Sequence, residues 1–411
     1  MLADVLALRL RLQSLFPCVQ QSKDLVTLNA FADTYLEWIF TLASDSLGHA
    51  SLSVPPGQLV SLLQTCPALT ASSIGLIASD QVPPAGIDAS VCTLQISTPA
   101  PCWQPPFLSY QTPDPDRIQR FSISSGSTSP FRVLAFNHAA QERKLAYHAT
   151  NQPLNRSSKV ALTFNFAVNS CYLLANHCVR NRQCLVQGPL DWLFDTYSIG
   201  YAEMVPMQLD SLLETNPTQG LYQRCNHIQV IGGPLSSGLR QKSLESLCKT
   251  ISSRYSANES WPIVFEQHTD GIGPLADEVQ VKILPPAIDG IPTELKPADY
   301  GEIWVKSPTT VTGYWQDPAA SSTHFDQEWF RTGDWGRLLP NGELEVMGRC
   351  DDIIINGGLK IAANQMEQLL LSLTGIRQVA ITSAHTGYNT ETLCIAIVPS
   401  GTSPLTRPKL G

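Results

Sequence analysis

The sequence has no apolar run long enough to cross a bilayer. Its longest stretches, such as residues 35–43, are broken by Glu37 and fall far short of the roughly 18 residues that a membrane span needs. It also has no stripe rich in lysine or arginine. With 27 basic and 35 acidic residues the net charge is −8, which leaves a nucleic-acid backbone little to grip. The first residues do not read as a secretory leader: Asp4 stands where such a leader carries positive charge, and Arg9 and Arg11 interrupt the residues behind it. The N-terminus therefore predicts an amphipathic helix and a cytoplasmic protein. The 11 cysteines are odd in number and irregular in spacing, which fits reduced thiols better than a disulfide framework. Their densest cluster, Cys171, His177, Cys178 and Cys184, holds no paired C-x-x-C and predicts buried thiols rather than a metal centre. Charged residues make up 15% of the chain, against about 25% in ordinary soluble proteins.

What the sequence does hold is core. Of 411 residues 43% are hydrophobic, enough for two to four domains of roughly 100–200 residues each. A helical pattern over 31–42 is followed by a strand over 50–54, and strand-like runs at 160–164 and 228–231 continue this α/β rhythm to about residue 255. Leu239, Leu244, Leu247 and Ile251 fit one face of a helix over 239–251. Prolines at 99, 101, 105, 106, 113 and 115 predict an extended surface connection. Beyond Ile263 short strands at 279–283 and 302–305, divided by glycine and proline, predict a small β-rich subdomain. Near Arg349 the pattern shifts again, to a helix over 360–373 and strands at 379–382 and 393–398.

The segments that carry chemistry are spread along this frame. After a short strand at 121–123, Ser124-Ser125-Gly126-Ser127-Thr128-Ser129-Pro130-Phe131-Arg132 forms a hydroxyl-rich turn. Backbone N–H groups converging at Gly126, with the hydroxyls of Ser125, Ser127 and Thr128, suit phosphate oxygens; the alternative is a flexible loop. Gly232-Gly233-Pro234 directly follows an apolar strand, where a flat ligand could approach the backbone. Tyr255-Ser256-Ala257-Asn258-Glu259, expected to follow the helix over 239–251, sets a carboxylate among small residues, where it could share Mg²⁺ with phosphate or lie solvated on the surface. Then, at short intervals, come Gly301-Glu302-Ile303-Trp304-Val305, Gly313-Tyr314-Trp315, Trp329-Phe330-Arg331-Thr332-Gly333-Asp334 and Gly348-Arg349-Cys350-Asp351-Asp352-Ile353-Ile354.

This series resembles the acyl-adenylate-forming (AMP-binding) superfamily of acyl- and aryl-CoA synthetases, fatty-acyl-AMP ligases, peptide-synthetase adenylation domains and luciferases. The resemblance is strongest over 301–367 and extends more weakly back to Val26, where 26–54 is similar to the family's first helix and strand. It implies an α/β fold: a large N-terminal AMP-binding domain over 1–348, with two α/β sheets and a small β-rich subdomain, and a shortened α+β C-terminal lobe over 349–411. It implies ATP, Mg²⁺ and a carboxylic acid, fatty or aryl, as reactants, with CoA or the phosphopantetheine of an acyl carrier protein as acceptor. Residue by residue, it sets Ser124, Ser125, Gly126, Ser127, Thr128 and Arg132 on the phosphates and Gly232, Gly233 and Pro234 beside adenine. Tyr255 opens the motif that Glu259, the Mg²⁺-linked glutamate, closes. Asp334 would accept from both ribose hydroxyls, Arg349 would lie near ribose and phosphate, and Asp351 would be the hinge of the small lobe; a structural salt bridge is the alternative for Asp334 and Arg349. The acyl pocket would lie between 162–166, with Asn165 and Phe166 as candidates, and the residues just past Gly232.

Three departures stand out. Ser129, Phe131 and Arg132 replace the family's glycine, proline and lysine in the loop, and Ser256 and Asn258 replace glycine and threonine in the Glu259 motif. The family's adenylation lysine has no counterpart in the 60 positions after Asp351, because Lys409 lacks the expected context. The expectation is therefore an AMP-forming acid–thiol ligase. The alternatives are a catalytically impaired protein of the same fold that binds nucleotide or acyl-AMP as a partner or regulator, and an adenylation module cut from an assembly line.

Overall fold

Runs of β-branched and apolar residues alternating with helices become three large sheets in the computed structural model, which describes residues 2–15, 25–82, 84–88, 91–96, 113–124, 131–151, 154, 158–215, 225–268, 271–285, 299–356, 359–371, 373, 375–386 and 390–399. The chain begins with α1 (Leu2–Leu15), β1 (Val26–Ala30), α2 (Thr34–Ser46), β2 (Ala50–Ser53), α3 (Leu59–Thr65), β3 (Ile74–Ser79), β4 (Thr93–Gln95), β5 (Ile118–Ser124), β6 (Arg132–Asn137) and α4 (His138–Asn151). It continues through β7 (Lys159–Leu162), α5 (Asn169–Arg180), β8 (Cys184–Gln187), α6 (Leu190–Thr196), β9 (Ile199–Met204), α7 (Pro206–Thr215), β10 (Cys225–Val230), α8 (Ser237–Ser246), β11 (Cys248–Tyr255) and β12 (Val264–Gln267). Then come β13 (Ile272–Gly273), β14 (Gln280–Leu284), β15 (Gly301–Lys306), α9 (Pro318–His324), β16 (Phe325–Asp326), β17 (Trp329–Leu338) and β18 (Leu344–Arg349). Last are β19 (Ile353–Asn356), β20 (Leu359–Ala362), α10 (Ala363–Leu371), β21 (Ile376–Thr386) and β22 (Thr390–Pro399). Two units result: Met1–Ser157, Leu162–Leu185 and Val311–Glu328 form one, and Ser158–Ala161, Val186–Thr310 and Trp329–Gly411 the other.

The first unit holds a sheet in the order β4-β3-β1-β2-β5-β6, parallel except that β6 runs antiparallel to β5. On one face Val26, Leu28, Leu52, Phe121 and Val133 pack with Leu59 and Leu62 of α3 into an apolar core. Strand geometry sends alternate residues to the opposite face. There Thr27, Ser51 and Arg120 are neighbours in register across β1, β2 and β5, and all three are buried. The arginine is compensated by α2, whose N-cap Asp33 accepts from the backbone N–H groups of Tyr35 and Leu36 at 2.8 and 3.0 Å. That helix carries the equally buried Glu37, whose carboxyl burial pushes up to about 7 against the pull of the Ser53 hydroxyl and the Arg120 charge.

The second unit is built on the order β12-β11-β10-β9-β7-β8, with β7, β9, β10 and β11 parallel and β12 antiparallel to β11. Its core is Leu193, Phe194, Met204, Leu209, Ile228, Val230 and Ile251. A second, antiparallel sheet follows in the order β13-β18-β17-β15-β14. Beyond it β19 pairs with β20 and β21 with β22, and Ile354, Ala363 and Ile381 form a small core with Met366 and Leu370. Among the described residues no helix is long and apolar enough to cross a membrane.

Two helices are shorter than the spacing predicts. The predicted helix over 239–251 ends at Ser246, and Leu247 donates its N–H back to Ser243 O at 2.9 Å. Cys248 then starts β11, so Ile251 belongs to a strand in register with Ile228 and the 255–259 segment follows that strand, not a helix. Apolar residues on either side of a helix–strand junction imitate one helical face. Likewise Lys360 and Ile361 pair across a hairpin with Ile355 and Ile354, and the helix begins only at Ala363. The 26–54 segment is strand–helix–strand. The proline-rich stretch lies outside the described residues up to 112, as does the 399–411 tail beyond Pro399.

A carboxyl at about 7 in the folded state and near 4.5 when unfolded takes up a proton on folding between those values, so its contribution to stability is present below about 4.5 and is lost as pH rises through 7. The shift corresponds to about 3 kcal/mol. The stability of Glu37→Gln relative to the parent should therefore rise with pH across this window in urea denaturation; an offset that does not change with pH would contradict the assignment.

Candidate functional site

In the second unit three predicted residues come together. Register across β17 and β18 sets Asp334 opposite Arg349, and the two side chains meet at 3.1 Å between Oδ1 and Nη1. The Tyr255 hydroxyl, from the end of β11, donates to Asp334 Oδ2 at 2.5 Å. Burial pushes the Asp334 carboxyl up, and the Arg349 charge and the Tyr255 hydroxyl pull it back. Burial and the facing carboxylate together hold the Tyr255 phenol well above its ordinary value. Tyr255 is therefore a hydrogen-bond donor here, not a base. The backbone frames this trio: Arg349 Nη1 donates to Thr332 O at 3.0 Å, Thr332 Oγ1 donates to Ile303 O at 2.7 Å, and Asp334 N donates to Thr332 Oγ1 at 3.0 Å. Gly333 makes the arrangement possible. Its φ is +71°, and a Cβ there would stand 2.8 Å from Arg349 Nη2. Asp334 keeps free lone pairs beyond these contacts, since two carboxylate oxygens offer about four acceptor positions.

The other predicted residues of this unit lie nearby in sequence. Gly232, Gly233 and Pro234 make the turn between β10 and α8, with Gly232 and Pro234 exposed. Glu259 is buried on the bend after β11, and the adjoining Ser260 hydroxyl lies 2.9 Å from Ser307 Oγ and 2.8 Å from Thr310 Oγ1. Asp351 is exposed on the short turn Cys350–Asp352. Sequence reasoning missed the buried polar network that adjoins Tyr255 in β11. The fully buried Arg254 meets Glu203 at 3.0 Å, donates to Gln229 Oε1 at 3.2 Å and lies 4.2 Å over the Trp261 ring, while Tyr201 donates to the same Gln229 oxygen at 2.7 Å. Charged or polar residues inside otherwise apolar strands, such as Glu203 in β9, were the available signal.

In the first unit Ser124 and Arg132 face each other in register where β5 and β6 end and begin. Ser125, Gly126, Ser127 and Thr128 lie outside the described residues, so this closing pair is the described part of the turn. Asn165 is half-buried, and its Oδ1 accepts from Ala167 N at 3.2 Å. Phe166 is fully buried, its ring edge-on to both Trp38 and Tyr172. Its backbone is gripped from both ends by charge. Phe166 N donates to Glu37 Oε2 at 3.4 Å, and Phe166 O accepts from the Arg120 guanidinium, which stacks 3.9 Å over the Tyr172 ring. The pair Glu37 and Arg120 was not foreseen; an arginine within the strand Ile118–Ser124 was the clue.

Among the described residues no group of three or more His, Cys, Asp or Glu side chains could enclose a metal ion. A single buried carboxylate such as Glu259 fits Mg²⁺ taken with phosphate oxygens, because this ion keeps water and substrate oxygens as ligands and needs only one or two carboxylates.

No protein-family model matches the chain. In sequence it is 24% identical to a long-chain-fatty-acid–CoA ligase of Salmonella typhimurium over 196 residues, which is 46% of this chain and 34% of that protein. It is 39% identical to the 2-succinylbenzoate–CoA ligase of Bacillus licheniformis over 89 residues, 22% of this chain and 19% of that one. These matches span about a third and a fifth of the curated relatives' length. The ATP-bound crystal structure of MatB from Rhodopseudomonas palustris superposes with a TM-score of 0.81 over 98% of this chain and 84% of its own, at 16% identity. The chain has the mixed α/β fold of the adenylate-forming enzymes, and its sequence relatives are acyl- and aryl-CoA ligases.

An alanine at 333 would occupy left-handed backbone and displace the Arg349 guanidinium. Gly333→Ala should lower stability by about 1–2 kcal/mol, the usual cost of that conformation for a residue with a Cβ. In an Arg349→Ala background the steric part disappears, so the same substitution should cost less; equal losses in urea unfolding of the two backgrounds would show that Arg349 does not depend on Gly333.

Proposed function

We propose that this protein activates a carboxylic acid with ATP as its acyl-AMP and passes the acyl group to the thiol of CoA or of a carrier-protein phosphopantetheine. The observation that carries this reading is the constellation of Asp334, Tyr255 and Arg349 around Gly333, in a chain whose motifs, fold and relatives all point to adenylate formation. A carboxylate oxygen of the acid attacks the α-phosphorus, the α–β bridging bond breaks, and pyrophosphate leaves with the electron pair. In the second half-reaction the thiolate attacks the acyl carbon and AMP departs.

Asp334 would accept from the ribose hydroxyls, with Tyr255 and Arg349 fixing its orientation, and the exposed turn Gly232-Gly233-Pro234 would lie along adenine. Arg132, with Ser124 to Thr128, would meet phosphate charge; its planar fork holds phosphate by two parallel bonds where lysine offers a point charge. Glu259 would hold Mg²⁺ through phosphate or water, and the bound ion would offset the negative charge that gathers on the phosphates. Asn165 would border the acyl group at the end of the segment fixed by Glu37 and Arg120. Asp351 would serve as the hinge between the parts 1–348 and 349–411. The chemistry requires no nucleophile from the protein, only oriented donors and charge where the transition state develops it.

A second reading is a binding protein of the same fold that holds nucleotide or acyl-AMP without turning over. The serine, phenylalanine and arginine in the loop, and Ser256 and Asn258 in the Glu259 motif, favour it.

ATP- and Mg²⁺-dependent hydroxamate formation with hydroxylamine, across fatty, aryl and amino acids, separates the two. The ligase should yield hydroxamate from one acid class, and Asp334→Ala should reduce kcat/KM by about 100-fold, the worth of two charge-assisted hydrogen bonds. AMP binding with no hydroxamate from any acid would establish the second reading, and neither binding nor product would overturn both.

A further inference from the structure

Gly313-Tyr314-Trp315 stands out in the sequence and has no part in the chemistry above, although it lies against the strand that begins with Arg132. Trp315 N donates to Val133 O at 2.7 Å, and its ring packs on Phe121 with centroids 4.8 Å apart, so the motif is tied to both strands that close the hydroxyl-rich turn. Tyr314 is buried in a cluster with Leu134 and Phe136 of β6. The ring of Tyr314 lies 5.2 Å from the Arg132 guanidinium carbon, within cation–π range.

The next helix completes the frame. Asp317 caps α9 by accepting from Ala320 N at 2.9 Å, and Ser321 Oγ donates to Asp317 O at 2.6 Å while accepting from Tyr314 N at 2.9 Å. This approach depends on the absence of a side chain at Gly313, where a Cβ would come 2.9 Å from Ser321 Oγ. At the end of α9, His324 packs edge-on to Tyr314 and reaches Arg132 Nη1 with Nε2 at 3.0 Å. Its other nitrogen, Nδ1, lies 3.0 Å from Ala320 O. A carbonyl oxygen only accepts, so Nδ1 carries the proton, and Nε2 presents a lone pair to the arginine. The imidazole is therefore held in the tautomer that accepts from Arg132.

We propose that Tyr314 and His324 are positioning residues that hold the Arg132 guanidinium in one orientation at the foot of the turn, so that it meets the phosphates of ATP without first losing side-chain freedom. This rests on the nucleotide reading of Arg132. An arginine otherwise gives up substantial rotamer entropy on binding, and a fixed fork meets the geometry of phosphate. The tyrosine supplies a flat face and the histidine a directional acceptor, and both are anchored to the strands that carry the turn.

The test is ATP and adenosine binding by calorimetry, with thermal melting as a check on folding, for the parent, Arg132→Ala, His324→Ala, His324→Phe, His324→Gln and the double variant Arg132→Ala/His324→Ala. Loss of the acceptor should weaken ATP binding about ten-fold, the worth of one hydrogen bond to a charged group, and leave adenosine binding unchanged. His324→Phe keeps a ring of similar shape without an acceptor and should behave as His324→Ala, which covers the case in which the alanine variant does not fold. His324→Gln, whose carbonyl oxygen can accept, should recover most of the loss. In the double variant His324→Ala should add nothing to Arg132→Ala, because the histidine acts through the arginine. Additive losses, equal weakening of ATP and adenosine, or a glutamine variant as weak as the phenylalanine one would overturn the assignment. A parent chain that binds adenosine but not ATP would also overturn it, and one that binds neither would remove the nucleotide reading on which it rests.

Discussion

A guanidinium taken into a sheet needs acceptors or a facing carboxylate, and this constraint shapes the strands beside the candidate sites. Arg254 in β11 and Arg331 in β17 find Glu203 and Glu302, and Arg120 in β5 finds the Phe166 carbonyl with the charge of Glu37 nearby, each carboxylate almost fully buried. Removing one partner of such a pair leaves an uncompensated buried charge at a cost of about 3–5 kcal/mol.

Each of these arginines lies near a residue that the sequence proposes for the site. Arg120 and Glu37 grip the backbone of Phe166 beside Asn165; Arg254 precedes Tyr255; Arg331 lies in the run that ends at Asp334. Asp334 and Arg349 form a similar pair nearer to solvent, with Arg349 about half exposed. A buried charge gives rigidity and a half-exposed charge gives recognition. Among the described residues the Arg132 guanidinium meets no carboxylate, but an imidazole and a phenol ring.

Much of the second site was legible in the residues. While the left-handed backbone of Gly333 is seen only in the structure, the run Arg331 to Asp334 and the run Gly348 to Asp352 are local motifs that a single sequence carries. The same holds for the alternation of strands and helices over the first 255 residues, which follows from periodicity. Helix limits were less legible: Leu239, Leu244, Leu247 and Ile251 satisfy helical spacing, yet the last belongs to β11, because the apolar positions at the end of a helix and the start of a buried strand add into one false period.

The sequence alone determined the class of fold and pointed to Asp334 and Arg349 as a motif pair, since these depend on residues close together along the chain. The tertiary structure alone decided that Tyr255 donates to Asp334, that Glu37 and Arg120 clamp Phe166, and that His324 accepts from Arg132. Those pairings join distant segments, and no local pattern specifies them. They follow from which strands lie side by side and in what register, and from the requirement that each buried charge and each tautomer find a complementary group.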